Sequence, residues 1–109
     1  MITVSVYRTK EEISGFIVEG HSGYAEEGLD IVCASVSILS YTVLNSINLV
    51  AGIEPEDISY EVDEDIGLMS VRTLKNNDKT DVIYRSFVVG IELLLADYSQ
   101  YITLKFEEV

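Results

Sequence analysis

Apolar and polar positions alternate through Ile2-Thr3-Val4-Ser5-Val6-Tyr7-Arg8, a period of two rich in β-branched residues, which predicts a half-buried strand over residues 2–8. After the polar Thr9-Lys10-Glu11-Glu12 the pattern resumes as I-S-G-F-I-V-E-G, so a second strand returns as a hairpin and ends near Gly20. From Asp30 to about Val50 the period changes. Val32, Val36, Leu39, Val43, Ile47 and Val50 recur at spacings of three and four, the signature of one buried helical face. Asp30 suits an N-cap, and Gly52 followed by Pro55 marks the stop. Two shorter runs, I-S-Y-E-V from Ile58 and G-L-M-S-V-R-T-L from Gly67, predict strands joined across Asp63-Glu64-Asp65. Residues 78–98 return to helical spacing, with Val82 or Ile83, Phe87, Ile91, Leu94, Leu95 and Tyr98 on one stripe, and Y-I-T-L-K-F-E-E-V alternates once more. The order ββαββαβ predicts an α+β fold, a mostly antiparallel sheet packed with two helices.

A length of 109 residues and a hydrophobic content of 48% fit one domain, 1–109, with a real core, and no repeat or low-complexity tract competes with that reading. Seven basic against nineteen acidic side chains give a net charge of −12 with no Lys/Arg cluster, so direct nucleic-acid binding is not expected. The acidic surplus has two readings: solubility alone, or a field that draws in a basic protein partner. Residues 31–53 carry no charge. They nevertheless include Ser35, Ser37, Ser40, Thr42, Asn45, Ser46 and Asn48, too polar for a spanning helix, so no membrane is expected. The first residues show no secretory pattern, and a single cysteine, unable to form an internal disulfide, fits a reducing compartment; the expected location is the cytoplasm.

That cysteine, Cys33, and the one histidine, His21, stand twelve positions apart across a loop with Gly23 and Gly28. In the expected fold His21 closes a strand and Cys33 lies in the first turn of a helix, where unsatisfied N–H groups and the positive dipole end favour a thiolate. An imidazolium is the usual second cause of such activation, and His21 is the one residue that could supply it. Taken singly, Cys33 reads more often as inert core packing and His21 more often as a surface or capping residue. Gly20, Gly23 and Gly28 give the loop the freedom of a flap or simply of a turn. Asp30 caps the helix, orients His21, or does both. Glu26 and Glu27 read as solvated loop residues, since a carboxylate beside Cys33 would oppose a thiolate. One Cys and one His are too few soft donors for a zinc site, so no metal and no cofactor is expected, and there is no phosphate-binding glycine loop or G-x-S-x-G elbow.

As a whole, Gly20-His21, Gly28, Asp30, Val32-Cys33-Ala34 and Ser37 resemble the signature of the ribosomal-processing cysteine protease family, and the ββαββαβ order extends the resemblance over the whole chain. The chain departs from the family pattern at Ser22 and Ser35, where alanine is usual. The resemblance implies a bacterial endopeptidase that removes the N-terminal extension of a large-subunit ribosomal protein after an aromatic pair. It implies a homodimer, for which the small-residue helix from Asp30 is the candidate face, and a loop between His21 and Cys33 that closes over substrate. His21 and Cys33 would then be the catalytic pair, with Asp30 supporting and the backbone N–H groups of Cys33 and Ala34 meeting the oxyanion. The basic ribosomal protein precursor is the expected partner. Two rivals stay open at this point: a non-catalytic ribosome-assembly or adaptor protein that grips the same extension, and a cysteine peptidase with another target.

Overall fold

A computed structural model describes residues 1–10, 12–20 and 27–109, with side chains from residue 30 onward in the last stretch. The elements are β1 (Ile2–Thr9), β2 (Glu12–Glu19), α1 (Glu27–Leu49), a short 3₁₀ turn (Pro55–Asp57), β3 (Ile58–Asp63), β4 (Leu68–Thr73), α2 (Asp78–Tyr98) and β5 (Ile102–Glu108). The expected ββαββαβ order and α+β class hold. The five strands form one sheet in the order β3-β4-β2-β1-β5. Three of its pairings are antiparallel and one, β1 with β5, is parallel.

This topology puts both helices on one face. α1 connects β2 to the parallel β3 across β4, and α2 connects β4 to the parallel β5 across β2 and β1. The two connections start from oppositely running strands and move in opposite directions along the sheet. The right-handed crossover rule therefore lays α1 and α2 side by side on the same surface. Between them and the sheet lies the core: Ile2, Val4 and Val6 of β1, Phe16 and Val18 of β2, Met69 and Val71 of β4, Val32, Val36, Val43 and Ile47 of α1, and Tyr84, Phe87 and Ile91 of α2. Phe16 stacks on Phe87 with ring centroids 4.2 Å apart and meets Tyr84 edge-on at 6.4 Å, so one aromatic triplet fastens α2 to the middle of the sheet. Length and composition alone would let Asp30–Leu49 cross a membrane. Here the apolar stripe of that segment is the central surface of the core.

Several expectations change. The helix starts at Glu27, not after Asp30, so Asp30 stands inside its first turn instead of capping it, and Gly28 is helical instead of a loop hinge. Val50 was expected in the core and is 60% exposed, because the helix has already ended at Leu49. In α2 the buried stripe runs through Thr80, Tyr84, Phe87 and Ile91, with Ile83 partly buried and Val82 exposed. Tyr84 takes its place by satisfying its hydroxyl, which lies 3.1 Å from the Thr73 hydroxyl and donates to the Ser14 carbonyl at 3.5 Å. Burial pushes its pKa up to about 12, against the opposing pull of the Thr73 bond. The start of α2 is set by Asn77, whose side chain accepts from the Lys79 and Thr80 N–H groups while Thr80 Oγ1 accepts from the Asn77 N–H, a complete capping box. Asn77 Nδ2 also donates to the Ala51 carbonyl at 2.9 Å, tying this cap to the chain just beyond α1.

Candidate active site

Cys33 is the seventh residue of α1, one turn further from the helix start than its sequence context predicts. Its side chain is 8% exposed between Val32 and Val36, and its Cα–Cβ bond leans back toward the first turn, as in any α-helix. Among the described residues three influences act on its proton affinity. Burial withdraws water from the thiolate and raises the pKa above that of an ordinary cysteine; the Asp30 carboxylate, one turn back, raises it further by like-charge repulsion; the Met1 ammonium pulls it down. Because the macrodipole's influence falls off within the first turn, it gives less to Cys33 than a first-turn position would. The same shift of the helix start corrects the role expected of Ala34. In the second turn the N–H groups of Cys33 and Ala34 face the carbonyls four residues back, inside the helix, so they are not the unsatisfied donors an oxyanion needs.

β2 ends at Gly20 with φ of 82°, in the left-handed region, and a Cβ there would collide with the Met1 carbonyl oxygen. Glycine is therefore required for the end of β2 to close against the start of β1. Since the Met1 ammonium acts on the Cys33 thiol, the start of β1, the end of β2 and the N-terminal part of α1 gather at one end of the sheet. His21, the next residue after Gly20, and Gly23 lie outside the described residues, as do the side chains of Glu27 and Leu29. Among the described residues no group of three His, Cys, Asp or Glu side chains could hold a metal ion.

From Cys33 the same face of α1 continues one turn on to Ser37 and then to Ser40 and Tyr41. Ser37, Ser40 and Tyr41 form one wall of a groove of about 280 Å³, whose other side is Val18 of β2 and the β3–β4 hairpin from Val62 to Met69. The floor is apolar, from Val18, Val36, Val62 and Met69. Ser40, 1% exposed, donates to the Val36 carbonyl at 2.7 Å, so a polar residue sits here without an unmet hydrogen bond and its small volume leaves the space open. The register pairs Val18 with Met69, which sets the hairpin tip beside the end of β2, at the same end of the sheet as Gly20. Sequence reasoning noticed the small residues of α1 but not the groove. Its walls come from segments far apart in the chain, and the only local signals were Ser37, Ser40 and the turn glycine Gly67.

A buried thiol one helical turn before an apolar groove, on an α+β sheet, suits the nucleophile of a cysteine protease, and the comparison with known proteins gives that class. A sequence model for the family described as cysteine protease Prp matches residues 1–103. The ribosomal processing cysteine protease Prp of Staphylococcus aureus (strain Mu50 / ATCC 700699) is 28% identical over 109 residues, covering 98% of this chain and 100% of that protein. Among solved structures, SMU.848 from Streptococcus mutans superposes with a TM-score of 0.88 at 30% identity, covering 100% of this chain and 99% of the other. The S. aureus protease Prp in complex with a substrate peptide gives 0.85 at 28% identity over 98% and 100% of the chains, and with a covalently linked product peptide 0.81 at the same identity and coverage. The chain belongs to the cysteine protease Prp family.

Proposed function

We propose that this protease is a ribosomal-processing endopeptidase, cutting the N-terminal extension from a large-subunit ribosomal protein after an aromatic pair, with Cys33 as nucleophile and His21 as its acid and base. The observation that carries this reading is the gathering of Cys33, Met1 and Gly20 at one end of the sheet, beside a groove whose floor accepts aromatic side chains. His21 is bonded to Gly20. A thiol whose pKa is raised by burial and by Asp30 needs a cation to hold it as thiolate, and an imidazolium supplies one. The thiolate attacks the scissile carbonyl, forming a C–S bond. As the C–N bond breaks, the His21 imidazolium protonates the leaving amine. The neutral imidazole then takes a proton from water, whose oxygen displaces the thiolate from the thioester and releases the new carboxylate. A relative solved with a covalently linked product peptide supports a covalent intermediate.

Membership in a protease family sets the adaptor alternative aside. The test is cleavage of a peptide spanning the extension's junction, followed by mass. Cys33→Ala is expected to lose at least about 10³-fold in kcat/KM, and His21→Ala about 10²- to 10⁴-fold. Full activity in a folded Cys33→Ala protein would overturn the assignment, and equal cleavage of unrelated aromatic peptides would replace the ribosomal substrate with a broader one.

A further inference from the structure

One charged group at the catalytic end belongs to no motif: the α-amine of Met1. Its place is fixed from both sides by the strands that flank β1. Towards β5, the Ile2 N–H donates to the Tyr101 carbonyl at 2.8 Å and the Thr103 hydroxyl donates to Met1 Sδ at 3.4 Å. Towards β2, the Met1 carbonyl oxygen closes on Gly20 so tightly that only glycine fits, and Gly20 is bonded to His21. Beneath the first turns of α1, Ile2 enters the same core as Val32 and Cys33.

Among the described residues no lysine or arginine shares this end of the sheet. Arg8 and Lys10 stand at the far end of β1, those from Arg72 to Arg85 occupy the end of β4 and the first half of α2, and Lys105 is opposite Ser5, half-way along its strand. The titratable groups around Met1 are Glu19, turned with Thr3 to the open face of the sheet, Tyr98 and Tyr101 ahead of β5, and Cys33 with Asp30 on α1. A charge acts more strongly beside a buried thiol than in water, and the Met1 ammonium favours the Cys33 thiolate against the pull of Asp30. Met1 is 64% exposed, which leaves it open to modification. Resting on the reading of Cys33 as nucleophile, we propose that the Met1 amine is a modification site that sets the activity of the protease: as ammonium it supports the thiolate, and an acyl group on the nitrogen removes the charge and turns catalysis down. In the formylated chain that nitrogen is an uncharged amide. Water adding to the formyl carbon breaks the N–C bond, releases formate and leaves the ammonium, so deformylation is the activating step.

The test compares the whole chain with a free amine, with an N-formyl group kept by blocking deformylation during synthesis, and with an N,N-dimethyl group from reductive methylation, which adds bulk but keeps the charge. Methylation also reaches the lysines and leaves them charged. Iodoacetamide alkylation of Cys33 is followed across pH in each form. The formyl form should titrate at a pH higher by about 0.5 to 1, so that near neutral pH alkylation and kcat/KM for the junction peptide fall by about three- to tenfold. Above both midpoints the rates should converge, which a distorted site would not allow. The dimethyl form should follow the free amine. A formyl midpoint equal to that of the free amine overturns the inference, as does a dimethyl midpoint that moves as far as the formyl one. Alkylation is read without substrate, so a shifted midpoint with cleavage unchanged at every pH would sink the nucleophile reading and leave the amine's hold on the thiol standing.

Discussion

Among the described residues, burial and a neighbouring carboxylate hold the proton on the Cys33 sulfur, and the Met1 ammonium opposes them. Asp30 is the part of this balance that can be removed without touching the thiol. Asp30→Asn keeps the size of the side chain and takes away the repulsion, so the thiol should titrate at lower pH than in the wild type. Below that pH, iodoacetamide should modify Cys33 faster in the variant. The check is the alkylation rate followed across the pH range, and a midpoint that stays put or rises would show that another group controls the thiol. The outcome also bears on what was legible in the sequence. Cys33 and His21 stood out because each is the sole residue of its kind, and the resemblance placed them together. Asp30 was misread because an acidic residue ahead of an apolar stripe looks like a cap. The turn before it, Glu27-Gly28-Leu29, carries a glycine that argues against helix, yet the helix runs through it.

Among the elements, β2 shows what a strand interior gives up for close pairing. Gly15 pairs with Tyr7 of β1 and with Arg72 of β4, on the face turned away from the helices. With no side chain between them, the Arg72 guanidinium lies over the Tyr7 ring at 4.3 Å from its centroid, a cation–π contact across the middle strand. A Cβ at Gly15 would collide with the Val71 carbonyl oxygen and lie 2.9 Å from Arg72 Cγ. The first contact is with backbone, so the β2–β4 pairing itself would have to move. Gly15→Ala should therefore destabilise the fold by about 1–3 kcal/mol, measured as a lower urea midpoint at unchanged slope. An unchanged midpoint would mean that the strands slide apart at no cost. Because β2 and β4 also carry Val18 and Met69 at the groove, the same variant should weaken peptide cleavage with Cys33 intact. Periodicity found these strands because alternation is local. It could not show that β5 would return parallel to β1, since that follows from the α2 crossover, nor that Tyr84 would lead the buried stripe of α2, since its burial depends on Thr73 and Ser14 in other elements.

Over the whole molecule the surplus of acid has two readings, solubility alone or capture of a basic substrate, and salt separates them. A net charge of −12 on a chain with a Cα radius of gyration of 13.4 Å gives a field that reaches about one Debye length, about 10 Å at 0.1 M salt, beyond the surface. A basic ribosomal protein precursor, the substrate proposed above, is drawn in by that field as a whole body, whereas a short neutral junction peptide is not. Raising salt from about 20 mM to about 500 mM should slow capture of the full-length precursor by about tenfold and leave kcat/KM for the neutral peptide within about twofold. Stopped-flow capture of a labelled precursor at several salt concentrations, beside cleavage of the neutral peptide under the same conditions, measures the difference. If precursor and neutral peptide share one salt dependence, the acidic surplus serves solubility alone.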